Sequence, residues 1–191
     1  MKRRLGDLYV VRSPGDSLKK RGKSTGAKGS ARRPPVELID GMAERLWDDD
    51  EAEPVRKYLT EVRCLPEGVL RKYKIGGRPT FLKFRSVPPA GKEFRRFKGC
   101  KTVLFGPPPE EPPIDESKPL VIAEGECDVL ALVAYGFENV VTGTAGASQG
   151  WPEDWIHDAR KHENVYLALD RGEDGERGSR KLCKSIGMAK C

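Results

Sequence analysis

The sequence lacks the features of a membrane or secreted protein. No apolar run in its 191 residues approaches the ~18 residues that a membrane-spanning helix requires. The basic N-terminus, MKRRLGDLYVV, contains an apolar stretch that is too short for a signal peptide. We therefore expect a cytoplasmic protein that has no membrane partner.

Histidines and closely spaced cysteines are also scarce. The chain has 2 histidines and 5 cysteines, and no two cysteines form a CxxC pair. His157 and His162 lie near no cysteine at the spacing of zinc ligands. An odd number of scattered cysteines is typical of a reducing compartment. These absences predict that the protein holds no structural zinc.

Positive charge, in contrast, is abundant and unevenly distributed. The chain carries a net charge of +6, yet residues 1–35 alone have eleven Lys/Arg against two Asp, so the remainder is slightly acidic. A basic arm on an acidic body is typical of a protein that binds a polyanion, most often nucleic acid. A solubilising leader or a mistranslated upstream stretch fits the same composition. Because residues 13–35 have almost no large apolar side chains, we predict that they are disordered.

Composition divides the chain into four predicted segments. Residues 1–54 are a mostly disordered basic arm with a short helix, and 55–106 are a small α+β subdomain. This subdomain has two short helices, then a hairpin formed by strands at 80–85 and 92–97, with 102–105 as a third strand. Five prolines between 107 and 113 predict a semi-rigid linker over 107–118. Residues 119–191 form the C-terminal domain.

Strands and helices alternate three times in the C-terminal domain. Apolar runs predict strands at 120–123, 140–141 and 165–169, each followed by a helical pattern, at 126–136, 151–159 and 176–187. Such alternation predicts an α/β fold in which helices flank a parallel sheet.

Two acids directly follow strands of this predicted sheet. Glu124 comes after the first strand and Asp170 after the third. Ligands of such sheets bind beyond the carboxyl ends of the strands, and converging carboxylates suit a hard cation such as Mg²⁺. The alternative is that acids near these strand ends only favour the first turn of the following helix.

Residues 119–187 resemble the TOPRIM domain, which primases, type IA and type II topoisomerases and some nucleases share. The resemblance rests on AEGECDVLAL at 123–132, Gly136, VVTGTA at 140–145, and Asp170 followed by Gly175 and a basic helix. The glutamate-glycine step with an aspartate four residues after the glutamate is most similar to bacterial and phage primases and to phage-type primase–helicases. Residues 57–105 more distantly resemble the segment that precedes this domain in phage-type primases.

The resemblance implies a set of site residues and a cofactor. Glu124 would be the catalytic acid/base and a metal-organising residue, and Asp170 the first metal-binding aspartate, with Mg²⁺ or Mn²⁺ as the ion. The family usually has Asp-x-Asp after the third strand, whereas this chain has Gly172 at the second position. Asp174 is the candidate replacement ligand. Further motif residues are Gly125, Asp128 and Glu173.

The predicted hairpin carries a second candidate site. Between residues 79 and 101, seven Lys/Arg and one Glu alternate with four phenylalanines. Arginines beside aromatic rings suit single-stranded nucleic acid, where stacking contributes ~1–3 kcal/mol per base. Alternatively, the phenylalanines pack in a small core and the cations are only solvated. The candidate nucleic-acid-binding residues are Arg85, Arg95, Arg96 and Lys98.

Together, these features predict a primase-type protein in DNA replication that performs Mg²⁺-dependent nucleotidyl transfer and makes RNA primers. Its expected partners are single-stranded DNA and nucleotides, with a replicative helicase as a further candidate. We expect a cytoplasmic protein that is either associated with the nucleoid or encoded by a phage. One alternative is a TOPRIM nuclease or topoisomerase-like enzyme. The other is a truncated, non-catalytic nucleic-acid-binding module, because Gly172 replaces an aspartate and the sequence stops before a further strand expected of the domain. Whether the chain is an enzyme stays open between them.

Overall fold

The computed structural model describes residues 36–73, 83–91, 93–96, 102–108, 112–144 and 150–191. The described residues of Met1–Arg63 and Lys74–Lys101 form unit 1, and those of Cys64–Tyr73 and Thr102–Cys191 form unit 2. The predicted disorder over 13–35 lies outside the described residues. Among the residues that are described, no helix has the length and apolar character needed to cross a membrane.

The helical part of unit 1 begins with α1 (Val36–Asp48), followed by a 3₁₀ turn (Asp50–Ala52) and α2 (Glu53–Lys57), which continues as one π turn to Val62. An acidic run directly after α1 opposes the negative end of its dipole. The guanidinium of Arg56 offsets this, because its Nη1 donates to the carbonyls of Leu46 at 2.9 Å and Asp49 at 2.7 Å. Arg56, which follows Leu46 by ten residues, therefore stabilises the C-terminal end of α1.

Unit 1 also contains the predicted hairpin. Strands β1 (Lys83–Arg85) and β2 (Phe94–Arg96) are antiparallel, with Phe84 opposite Arg95. Ser86 closes the turn, since its backbone N–H donates to the Glu93 carbonyl at 3.0 Å and its hydroxyl accepts from the Glu93 amide at 2.8 Å. The hairpin predicted from the sequence is confirmed, in a shorter form.

Unit 2 is built on a four-stranded sheet whose strand order is β3-β5-β4-β6. Strands β4 (Leu120–Ala123), β5 (Val140–Gly143) and β6 (Val165–Ala168) are parallel, as the sequence predicts. We call the edge where these three strands end the carboxyl edge. The predicted α/β class is confirmed.

The third hairpin strand that the sequence predicts at 102–105 lies elsewhere. Residues Leu104–Phe105 form β3, which pairs antiparallel with β5 and makes the sheet mixed. Gly106 allows the chain after β3 to lie close to β5, because a Cβ at this position would lie only 2.9 Å from Val141 Cγ1. The Thr144 hydroxyl extends the pairing of β3 with β5, because it accepts a hydrogen bond from the Val103 amide at 3.0 Å.

Helices cover both faces of the sheet in unit 2. Helices α5 (Glu153–Ala159) and α6 (Glu173–Ile186) pack on one face, where the core consists of Leu120, Ile122, Val141, Ile156, Ala159, Val165, Leu182 and Ile186. Helix α4 (Glu126–Ala134) buries Val129 and Leu130 and contacts β4, β5 and the short α3 (Glu67–Lys72). Helix α6 begins three residues earlier than the sequence pattern predicts, since Glu173, Asp174 and Glu176 favour the first turn of a helix.

Candidate active site at the carboxyl edge of the sheet

Glu124 is the half-buried residue directly after β4, and its backbone is held from the neighbouring strand. The hydroxyl of Thr142 in β5 donates to the Glu124 carbonyl at 3.0 Å. Thr142 itself is fully buried. The contact fixes the point at which the chain leaves β4 and turns into α4. Thr142 belongs to the VVTGTA motif at 140–145, but no role at the site was predicted for it. The available signal was a hydroxyl that directly follows the apolar residues Val140 and Val141 in β5.

The carboxylate of Glu124 is joined to the end of β6. Its Oε2 accepts a hydrogen bond from the backbone amide of Asp170 at 2.5 Å. A bond from an N–H group to an ionised carboxylate is stronger than a neutral one. The structure thus brings the two predicted strand-end residues together, but through one side chain and one backbone group. The Asp170 side chain is exposed.

Gly175 lies against the Asp170 backbone from the other side. A Cβ built on Gly175 would be 2.0 Å from the Asp170 carbonyl oxygen. Any side chain at this position would therefore require the backbone to move. The first turn of α6 therefore packs directly on the turn after β6. Gly175 belongs to the motif that resembles the TOPRIM domain, but no role at the site was predicted for it.

Two of the remaining predicted acids have protein partners of their own. Asp128 Oδ2 accepts from the Gly125 amide at 3.0 Å and so caps the start of α4. Asp174 forms an ion pair with Arg177 on the surface of α6. Glu173 is exposed in the first turn of α6.

The donor set for a metal ion is consequently not assembled. Of the predicted ligands, Glu124 shares its carboxylate with the Asp170 amide and Asp174 shares its carboxylate with Arg177. Within the described ranges, no three or more His, Cys, Asp or Glu side chains are grouped so that they could hold a metal ion. The residues present do not fit the predicted ion.

The hairpin in unit 1 places cations over aromatic rings. The Arg85 guanidinium lies 5.5 Å from the ring centre of Phe94 and 5.8 Å from that of Tyr58, and Lys83 Nζ lies 4.9 Å from Phe94. Phe94 is 48% exposed, so its ring is not the core residue of the alternative interpretation. Arg95 makes a bidentate ion pair with Glu93 at 3.0 and 3.1 Å. The Arg96 side chain and Lys98 lie outside the described residues.

The mixed α/β sheet carries Glu124 at its carboxyl edge, and comparisons with known proteins relate this chain to DNA primases. No family model matches the sequence. A DNA primase DnaG of Pyrobaculum islandicum is 35% identical over 148 residues, which cover 71% of this chain and 36% of the relative. The DNA primases DnaG of Pyrobaculum arsenaticum and Saccharolobus solfataricus are 36% identical over 87 residues and 34% identical over 74 residues. These shorter matches cover 44% and 38% of this chain, and 21% and 18% of the relatives.

Two solved structures share the fold. The primase fragment of the bacteriophage T7 primase-helicase protein superposes with a TM-score of 0.51 at 19% identity, over 68% of this chain and 60% of that one. The Aquifex aeolicus primase, with its zinc-binding and RNA polymerase domains, gives a TM-score of 0.59 at 15% identity, over 81% and 51%. The chain thus spans about a fifth to a third of the curated relatives' length. Its resemblance to the primase type, predicted from the sequence, is confirmed.

The cofactor prediction, Mg²⁺ or Mn²⁺ without zinc, is wrong. Two of the three carboxylates that were to hold the ion, those of Glu124 and Asp174, are engaged with an amide and a guanidinium. The Asp170 carboxylate is exposed, and no metal-holding group occurs in the part of the chain that the structure describes. The exclusion of zinc does not hold across the structural relatives either, since the Aquifex aeolicus primase includes a zinc-binding domain. Sequence reasoning placed the acids at the correct strand ends but could not foresee which partners they would take.

Proposed function

We propose that this chain is a TOPRIM-type primase part of the DNA replication machinery, which joins ribonucleotides on single-stranded DNA. One observation supports this most directly. The Glu124 carboxylate is held at the carboxyl edge of the sheet, where open α/β sheets bind their ligands, by the Asp170 amide. The sequence relatives named DNA primase DnaG and the fold shared with two primase structures support the same proposal.

In this proposal Glu124 acts as the general base. Its Oε2 is occupied by the Asp170 amide, whereas its Oε1 has no hydrogen-bond partner among the described residues. When the 3′-oxygen of one nucleotide attacks the α-phosphorus of a nucleoside triphosphate, the new P–O bond forms as the bond to pyrophosphate breaks. The proton of the 3′-hydroxyl passes to Glu124 Oε1. A general base positioned in this way typically contributes 10²–10⁴-fold to the rate.

The hairpin supplies the proposed contacts to the DNA strand. Arg85 and Lys83 lie over the ring of Phe94, which is 48% exposed, and we propose that these side chains contact the bases of the strand. Arg95, Arg96 and Lys98 are the proposed phosphate contacts. A replicative helicase is a further proposed partner, because one structural relative is a fragment of a primase-helicase protein.

Primer synthesis tests the proposal directly. The full chain is supplied with labelled ribonucleoside triphosphates and a single-stranded template under standard polymerisation conditions. We expect short RNA products, and Glu124→Gln should reduce their rate by about 100-fold or more because the amide cannot accept the proton. Glu126→Gln, which removes the same charge two residues away, is the matched control and should change the rate less than about threefold.

The alternatives give different results in the same experiment. Nicking of plasmid DNA without RNA synthesis would indicate the nuclease-type enzyme. Binding of single-stranded DNA with no synthesis by the wild-type chain would indicate the non-catalytic module. Synthesis that is unaffected by Glu124→Gln would remove Glu124 from the reaction.

A further inference from the structure

Helix α6 has two chemically distinct faces. Gly175, Gly178, Leu182 and Ile186 are buried at helical spacing against the sheet. The exposed flank carries four cations within two turns, which we name the α6 basic stripe: Arg177, Arg180, Lys181 and Lys184. Residues three and four apart are neighbours on a helix, so these side chains form a continuous row about 10 Å long.

The two ends of the stripe differ in how their charge is neutralised. Arg177 pairs with Asp174, and Arg180 pairs with Glu176 at 3.5 Å, both with acids of the first turn of α6. Pairs between such exposed side chains exchange readily with other partners. Lys181 and Lys184 form no ion pair with any described residue. The stripe therefore presents more positive charge than its own helix neutralises.

Three exposed cations elsewhere in unit 2 are neutralised by acids. Lys118, before β4, pairs with Glu138, and Lys161, before β6, pairs with Asp158 at 2.8 Å and with Glu116 at 3.4 Å. Arg160 likewise pairs with Glu153 at 3.0 Å. The same unit therefore provides acids for these three exposed cations but none, among the described residues, for Lys181 and Lys184.

The stripe reaches towards the carboxyl edge of the sheet. Lys181 Nζ lies 2.8 Å from the position that a Cβ on Gly150 would take. Gly150 precedes Trp151, and the Trp151 ring packs on Gly143 at the end of β5, where a Cβ would be 3.2 Å from Nε1. Side chains of a helix lean towards its N-terminus, which in α6 follows Asp170. A nucleic-acid strand that binds along the α6 basic stripe would therefore run towards Glu124 and Asp170.

We propose that the α6 basic stripe binds the phosphate backbone of single-stranded DNA and guides it to the carboxyl edge of the sheet. The inference rests on the proposed function for the identity of the partner. Lysines and arginines spaced along a helix contact phosphates without reading bases, so the contact positions the strand independently of its sequence. Lys181 and Lys184 make two phosphate contacts, and Arg177 and Arg180 exchange their acidic partners for further ones.

The test compares two double variants of the full chain that lose equal charge. Lys181→Gln with Lys184→Gln alters the stripe, and Lys118→Gln with Lys161→Gln is the matched control at the opposite edge of the sheet. Binding of fluorescein-labelled oligo(dT) is followed by anisotropy over a range of salt concentrations. Because each phosphate contact on a single strand contributes about 0.7 to the log–log salt slope, the stripe variant should lower that slope by about 1.4 and weaken binding about tenfold.

The control results decide the proposal. The slope should be unchanged in the Lys118/Lys161 variant and retained when both stripe lysines are changed to arginine. An equal fall in slope in the two glutamine variants, an unchanged slope in the stripe variant, or equal competition by duplex DNA overturns it. If the wild-type chain makes no primers but the stripe variant still lowers the salt slope, the proposed function is refuted and the DNA-binding stripe is not. The two failures are therefore distinguishable.

Discussion

The Asp170 amide donates to Glu124 Oε2 over 2.5 Å, and this single bond joins the ends of the neighbouring parallel strands β4 and β6. The carboxylate therefore has two tasks at once. One oxygen braces the carboxyl edge of the sheet, and the other is available for chemistry. A substitution at Glu124 should affect stability and catalysis by different amounts.

Two substitutions at Glu124 separate these tasks. Glu124→Ala removes the acceptor of the Asp170 amide and should lower the free energy of unfolding by about 2 kcal/mol, because hydrogen bonds to charged groups contribute ~1.5–3 kcal/mol. Glu124→Gln keeps an oxygen acceptor and should lower it by less than about 1 kcal/mol. Urea unfolding measures both. Equal losses would show that the bond to Asp170 does not brace the strands.

Gly175 should tolerate no side chain. Gly175→Ala would place its Cβ 2.0 Å from the Asp170 carbonyl oxygen, so the turn after β6 or the start of α6 must shift. We expect a loss of about 2–4 kcal/mol in unfolding free energy. Gly68→Ala in α3 is the control, since its Cβ meets nothing within 4 Å and alanine is the better helix former by ~1 kcal/mol. Comparable melting temperatures for the two variants would refute the close approach.

Thr142 is expected to position Glu124. Thr142→Val keeps the shape of the side chain but removes the hydroxyl that donates to the Glu124 carbonyl, which should cost about 1–3 kcal/mol at this fully buried position. If the proposed catalytic role of Glu124 holds, kcat should fall while the nucleotide KM stays unchanged. Thr142→Ser restores the donor and should recover most of the rate. A valine variant with normal kcat would leave Thr142 a structural residue only.

The C-terminal cysteines provide a pH-dependent prediction. Burial and a hydrogen bond with Cys183 raise the pKa of the Cys191 thiol from 9.0 to about 12. Because the neutral thiol is favoured in the folded state, its contribution to stability is present below pH 9 and is lost as the pH rises towards 12. Alkylation requires the thiolate, so the rate at Cys191 should keep increasing well above pH 9.

Mass spectrometry after timed alkylation measures this rate. Cys183→Ala removes one cause of the raised pKa and should make Cys191 more reactive at a given pH. An alkylation rate at Cys191 that levels off near pH 9 in the wild-type chain would contradict the prediction.

Much of unit 2 could be predicted from the sequence because its signals are local. Four consecutive apolar residues, Leu120 to Ala123, are all buried in β4. Val129, Leu130 and Val133 share one helical face of α4, on which Val129 and Leu130 are buried. The positions of Glu124 and Asp170 then follow from the rule that parallel strands end at one edge. Local pattern and topology were sufficient for the strand ends.

The contacts that the sequence did not predict depend on residues far apart in the chain. Leu104–Phe105 pairs with β5 rather than with the hairpin, since Gly106 allows the two strands to approach at Val141. The brace between Glu124 and Asp170 spans 46 residues. The cofactor prediction failed for the same reason, because the partners of each carboxylate are set by the packed structure and not by its spacing in the motif.

Template dependence of the product tests the central claim most directly. The chain is given oligo(dT) or oligo(dC) as the only template, with all four ribonucleotides, and the composition of the RNA is measured. The proposed primase function predicts oligoadenylate on oligo(dT) and oligoguanylate on oligo(dC), with both products lost in Glu124→Gln. The same product on either template, or degradation of the template without RNA synthesis, would contradict it.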